Sequence, residues 1–472
     1  MRADLLAAEL PDLDEALAAV DAFDEVLAGG LLRPQPAQAA GLNALADAVA
    51  GSPIAALVAE AAEKAAAGVA GEEHLVALAA GRTALFGAVH DAVLARVDEA
   101  TGRPREAAPP FEPGAPLPVN LLASARAWLC DVARAGWRGM DHELAATAAP
   151  VVSALLPSAE LRRLAVLLDG FAAELAASCP GRTLEQIPLR RWADLWARGM
   201  LLTQPGAIAA AGAAAESAAG AASTALTGRL LPLGVDLHEH ATGVQAQVHA
   251  VFEPADGGPA RLVRASVSAP KPDTVVGAGA WQLLRPHLSL LAAAGEGRAM
   301  ELTGMPVTDE GDLLWSDDRA HVGESADVFT TARVALPAVR SGATAPLDRH
   351  PTRIAEPVLV EGYTVDGSGA EVAFVIGGER LAVDTGRVPA ASPLTPQAVA
   401  GSRACVGLLR WDAGRFRLQP LAVQSAAKSK AAVAQAGAWA GGTSDKNAAK
   451  AEKAATDAVT VLRERAGRLL RS

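Results

Sequence analysis

Cysteine is scarce in this chain: Cys130, Cys179 and Cys405 are the only three among 472 residues, widely separated and without a Cys-x-x-Cys pair. That argues against a disulfide framework and a structural zinc knuckle, and fits small buried hydrophobes in a reducing cytoplasm. Aromatic residues make up only 4%, so stacking platforms for single-stranded nucleic acid are thinly supplied. Large apolar residues never run together for long. The hydrophobic fraction is 51% and the mean hydropathy +0.21, but alanine dominates, and no window has the continuity of a transmembrane span. Acids within the first dozen residues, and no basic stretch leading into an apolar one, give no expectation of an export signal. Catalytic signatures are missing as well: there is no Gly-x-x-x-x-Gly-Lys-Ser/Thr loop, no Gly-x-Gly-x-x-Gly after a strand, no Gly-x-Ser-x-Gly elbow and no His-Glu-x-x-His helix.

Lysine is nearly confined to one place. Outside residues 426–472 only Lys64 and Lys271 occur, whereas that tail holds nine Lys/Arg against four Asp/Glu. The whole chain is −11, so a basic tail sits on an acidic body and reads as a separate segment. The length predicts two or three domains.

The first half is patterned for helices. Leu13, Leu17, Val20, Phe23 and Leu27 form one stripe over 12–28, ended by Gly29 and Gly30. Further helices are expected over 37–50, 53–66 and 72–100, with Gly81 and Gly87 weakening the last. A proline-rich linker over 101–118 separates this 1–100 helical subdomain from a helical bundle over 119–204. Within the bundle, Ser158 is placed to cap a helix over 158–177. Trp192 and Trp196 share a face of the last helix, suited to a partner hot spot or to core packing. An Ala/Gly-rich connector over 205–228 follows.

The second half alternates. Val244, Ala246, Val248, Ala250 and Phe252 point one way, and Gln245, Gln247 and His249 the other, as on a half-buried strand. A hairpin to 261–268 follows, then one helical island around Trp281 to Leu291 that Pro286 should kink or divide. Other strands are expected over 300–307, 328–336, 357–365 and 371–376. Gly377 and Gly378 predict a tight turn, and Asp412, Ala413 and Gly414 a three-residue loop. The fold class is therefore α+β and multidomain: an all-α N-terminal half, an antiparallel β-rich half over 229–425 resembling a barrel or sandwich, and a basic amphipathic helical tail over 426–472.

Function is weakly marked. His238 and His240 share a strand face, with His249 as a third imidazole if the register allows it, so a divalent metal there would support a hydrolase. Asp317, His321 and Glu324 would converge if their segment were helical. Arg463, Arg465, Arg468 and Arg471 crown the tail, which could contact an acidic partner or nucleic acid. Ser425 and Lys428 match Ser-x-x-Lys at the edge of the tail, a poor setting for that chemistry. The leading expectation is a non-enzymatic cytoplasmic adaptor or scaffold with a protein partner and no cofactor. The alternatives are the metal-dependent hydrolase and binding through the tail, and the oligomeric state stays open.

Overall fold

The computed structural model describes residues 1–107, 117–207, 224–240, 242–369, 371–425 and 432–469. The helical half holds α1 (Ala3–Ala7), α2 (Leu13–Gly29), α3 (Pro36–Ala48), α4 (Ala55–Ala66), α5 (Glu72–Thr101), α6 (Val119–Ala135), α7 (His142–Ala146), α8 (Ala148–Leu155), α9 (Arg162–Ala177) and α10 (Leu189–Leu202). A first sheet follows: β1 (Thr224–Glu239), β2 (Gly243–Pro254), β3 (Arg261–Pro270), β4 (Arg298–Val307), β5 (Asp312–Leu313) and β6 (Ala320–Ser325). Between β3 and β4 lie α11 (Ala278–Leu283) and α12 (Leu288–Glu296), and after β6 comes α13 (Val328–Val334). The second sheet contains β7 (Glu356–Glu361), β8 (Thr364–Asp366), β9 (Ala373–Ile376), β10 (Glu379–Val383), β11 (Ser402–Asp412), β12 (Arg415–Ser425) and β13 (Val433–Gln435), with α14 (Pro396–Ala400) before β11 and α15 (Lys446–Leu469) last.

One interior serves most of the helical half. It runs from Ala19 and Phe23 of α2 through Leu75 and Phe86 of α5 to Trp192, Trp196 and Met200 of α10, so the two stretches flanking the proline-rich segment share a core. The two tryptophans are 2% and 0% exposed. The Trp196 indole donates to the Leu129 carbonyl at 3.0 Å, and the rings of Trp137 and Trp192 meet edge-on at 5.9 Å. The two large rings are consumed by packing and present almost no exposed surface.

α5 is the spine of the molecule. Its 30 residues span about 45 Å at 1.5 Å per residue. Its first half, with Leu75, Leu78 and Phe86, packs in the bundle, while Val89, Val93 and Val97 belong to the core of the second sheet. Gly81 does not interrupt it. A methyl there would come 3.0 Å from Val58, so the glycine lets α4 approach closely.

The sheets follow from alternation. Val244, Ala246, Val248, Ala250 and Phe252 enter a core with Val263, Ala265, Trp281, Leu284 and Leu291. The helical island is divided at Pro286, where a short 3-10 turn joins α11 to α12. Strand order in the first sheet is β1-β2-β3-β5-β4-β6, and β4 also pairs with β1. Neighbours are antiparallel except β3 with β5 and, in the second sheet, β10 with β12.

Several expectations are corrected. Residues 328–336 are not a strand: Asp327 caps α13 by accepting from the Thr330 amide at 2.8 Å, and Val328, Phe329, Thr331 and Ala332 are buried at helical spacing. Ser158 is not a cap either; its hydroxyl turns to Glu160, and α9 begins at Arg162. The stretch 357–365 breaks at Gly362 into β7 and β8, and β1 begins at Thr224, inside the expected connector. Gly377 and Gly378 do form a two-residue turn, at φ 61° and 97°. The other hairpin is also two-residue, since Asp412 pairs with Arg415 and Ala413 itself takes φ 49°. The remainder of the connector (208–223), half of the proline-rich segment (108–116) and residues 426–431, with Lys428, lie outside the described residues.

Candidate ligand-binding cleft

The register of the first sheet aligns its polar face. His238 pairs with Gln245, Asp236 with Gln247, and Gly234 with His249, so these side chains share one surface of β1 and β2. On β3, Arg264 lies beside His249 and Ser266 beside Gln247, whose amide donates to the Ser266 hydroxyl at 3.0 Å. The opposite surface is already committed to the apolar core. Apolar alternation thus decides which way the polar row must face.

That row floors a cleft of ≈ 690 Å³. Its other walls come from α5 (His90, Leu94), α9 (Arg163), the segment 341–357, the 3-10 turn after β10 (Arg387) and the second sheet (Arg410). Three modules therefore meet around it, a common setting for ligand sites. Salt bridges hold the meeting together. Arg105 joins Asp98 at 2.8 Å to Glu356 at 2.9 Å, and Arg103 donates to the Pro357 carbonyl at 2.8 Å. Burial pushes the Glu356 carboxyl up, but Arg105 and Arg103 outweigh it and hold the group below its ordinary range.

Asp236 anchors the floor to the second sheet. It is 2% exposed and accepts from Arg410 at 2.5 Å and from Gln419 at 2.7 Å, while the His238 Nε2 lies 2.9 Å away. Burial alone would raise this carboxyl; the His238 hydrogen bond and the Arg410 charge reverse that and hold it well below the usual range.

His249 differs. It is 1% exposed, lines the cleft, and its Nε2 has no hydrogen-bond partner. Burial drives its pKa down to about 3, so the ring is neutral and offers one donor and one acceptor. An unsatisfied buried nitrogen costs about 1–3 kcal/mol.

The cleft's arginines are all tied to carboxylates, though not one for one, since Arg163 and Arg353 share Asp348 with Arg198. All six lining arginines have carboxylate partners: Arg105 as above, Arg163 and Arg353 on Asp348, Arg264 on Asp312, Arg387 on Asp384 and Arg410 on Asp236. Glu310, also lining, has no ion-pair partner among the described residues. No described lining residue is Phe, Trp or Tyr.

All three predicted imidazoles line the cleft, His240 from an exposed position just past β1 in the turn to β2. Among the described residues no three His, Cys, Asp or Glu side chains form a group able to hold a metal ion. The 317–324 cluster does not converge: Asp317 sits in a 3-10 turn, bound by Trp315, Ser289 and His287, whereas His321 and Glu324 lie three apart on β6 and so face opposite ways. The tail docks as α15. Its Glu452 meets Gln282 and Arg285, and Val459 is buried, while Lys446, Lys450, Lys453 and Arg465 are exposed. Arg463 and Arg468 fall within the α15 span, and Arg471 lies outside the described residues.

Sequence reasoning missed Asp236, Arg410 and Gln419. The available signal was the i, i+2 spacing of Asp236 and His238, but their partners are more than 170 positions away. Comparisons with protein-family models, with curated proteins and with solved structures find no match for this chain.

Proposed function

We propose that this protein is a non-enzymatic adaptor that holds a segment of a partner protein in the three-module cleft. The observation that carries this reading is the buried, unpartnered Nε2 of His249 on a polar wall inside a ≈ 690 Å³ cleft. Such a wall gains most from an occupant that supplies hydrogen bonds. Native mass spectrometry of the gently purified chain tests it. A co-purifying polypeptide should be present with the wild type and lost from Gln247→Trp, which fills the cleft from a half-buried position, while circular dichroism stays unchanged. Release of only small organic molecules, or equal loading of both proteins, would overturn the reading.

The hydrolase reading draws on the Asp236–His238 pair, whose imidazole is 34% exposed toward the cleft. Ester or phosphoester turnover that requires added zinc or manganese, and disappears in His238→Ala/His240→Ala, would replace the adaptor with an enzyme.

A further inference from the structure

Three guanidinium groups share one carboxylate where α9, α10 and the segment 341–357 come together. Asp348 accepts from Arg198 and Arg353 and lies 3.5 Å from Arg163, and none of the three arginines has another ion-pair partner among the described residues. Two positive charges are therefore left over. Burial pushes the Asp348 carboxyl up, but Arg353, Arg198 and Arg163 outweigh it and hold the group below its ordinary range, so the acid is already ionised and can give no more. Arg198 also donates to the Leu347 carbonyl at 3.1 Å. Burial, with the Arg353 and Arg163 charges, lowers its pKa to about 10, which still leaves it a cation at neutral pH.

Arg163 and Arg353, unlike Arg198, line the cleft, the first half-buried and the second exposed. Among the described residues each guanidinium has one contact with the protein, to Asp348. A guanidinium has five N–H donors in a fork that fits the oxygens of phosphate and carboxylate, so most of theirs are unspent.

Charge and composition narrow what an occupant presents to them. A phosphorylated side chain carries about −1.5 to −2 at pH 7 and three acceptor oxygens, matching two surplus cations and two forks, whereas a carboxylate leaves one cation uncompensated. The absence of aromatic side chains from the described lining removes the usual platforms for nucleobases. Glu310, lining the same cleft without an ion-pair partner among the described residues, disfavours a second phosphate. The floor of Gln245, Gln247 and neutral His249 supplies uncharged donors and acceptors, which suit the amide groups of a peptide.

We infer that Arg163 and Arg353, with Arg198 as the third cation on Asp348, receive a single phosphorylated side chain of the segment held in the cleft. This rests on the adaptor reading and specifies its partner as a singly phosphorylated segment. Asp348 keeps the three cations together, and the phosphate completes their neutralisation.

Affinity selection on the full-length chain tests the inference, using three mixed-sequence heptapeptide libraries whose central residue is phosphoserine, glutamate or serine. The phosphoserine library should be retained about tenfold more strongly than the serine library, with glutamate between them. Arg163→Gln/Arg353→Gln leaves Asp348 paired with Arg198, should keep the circular dichroism of the wild type, and should erase the preference. Arg353→Lys, which keeps the charge but loses the fork, should lose part of it. Calorimetric titration with glycerol phosphate separates a phosphorylated side chain from a small phosphomonoester. Equal retention of the three libraries, stronger retention of the glutamate library, a preference unchanged in the double variant, or glycerol phosphate binding as tightly as the selected phosphopeptides would overturn the inference. If native mass spectrometry still finds a polypeptide that Gln247→Trp releases, the adaptor reading survives and only the phosphate assignment falls; if neither measurement finds a peptide, both fall.

Discussion

Each half of the molecule buries a carboxylate against an arginine, and the two carboxylates respond in opposite directions. In the helical half, Arg82 donates to Asp24 at 2.6 and 2.9 Å and to Asp194 at 2.6 Å, so one cation serves two acids. Burial raises the Asp24 carboxyl to about 6, because Arg82 offsets only part of the desolvation and the Asp194 charge adds to it. In the β half, Asp236 has Arg410, Gln419 and His238 to itself and stays below the ordinary range. The number of donors per acid decides the sign, more than depth of burial does. Asp24 closes a core with no role at the cleft, whereas Asp236 is the hinge between the cleft floor and the second sheet.

The strongest way to break the contrast is Arg82→Ala. It strands Asp24, leaves Asp194 with His350 at 3.2 Å, and should cost about 3–5 kcal/mol, measured by denaturant unfolding. Asp236→Ala should cost less, about 2–4 kcal/mol, because His238 opens to the cleft and water can reach the vacated site. It should also weaken peptide binding, which Arg82→Met should leave unchanged if the chain folds.

Acidity sharpens the same comparison. A folded value of about 6 for Asp24 against an ordinary 3.8 means that its contribution favours the fold at low pH and is lost as pH rises through 6. Asp236, held low, contributes above its ordinary value and loses that contribution only as pH falls through the depressed one. Between pH 7 and pH 5, amide exchange in α2 and α5 should therefore slow, by an opening free energy on the order of 1 kcal/mol, while β1 and β12 should not change. Asp24→Asn should flatten the response; a response that persists in that variant would assign it elsewhere. The smallest effect belongs to the surface: Arg333→Ala removes an exposed pair with Glu361 at 2.7 Å and should shift unfolding by less than about 1 kcal/mol.

What could be read ahead from the residues was local. The stripe of α2, the division at Pro286 and the Gly377–Gly378 turn depend on neighbours a few positions apart, and all three stand in the fold. The segment 328–334 was misleading because Val, Phe and Thr favour strands, yet a single side-chain cap at Asp327 and a half-turn burial rhythm made it helical. The face of Gln245, Gln247 and His249 was legible from alternation. Its purpose was not, since the cleft exists only where α5, the segment 341–357 and both sheets converge. The tryptophans show the opposite trap: two rings on one helix face resemble a recognition patch until a neighbour such as Phe23 fills the space against them.

α5 carries a practical consequence for anyone dividing this protein. Although the Ala/Gly run after residue 205 resembles a natural cutting point, the second half of α5 supplies Val89, Val93 and Val97 to the interior beneath the second sheet. An N-terminal fragment ending at the run would expose that greasy stripe along a protruding rod, and the C-terminal fragment would have an open wound where the rod belonged. The two pieces should aggregate apart and regain solubility when co-expressed, behaving as complementing fragments of one folding unit.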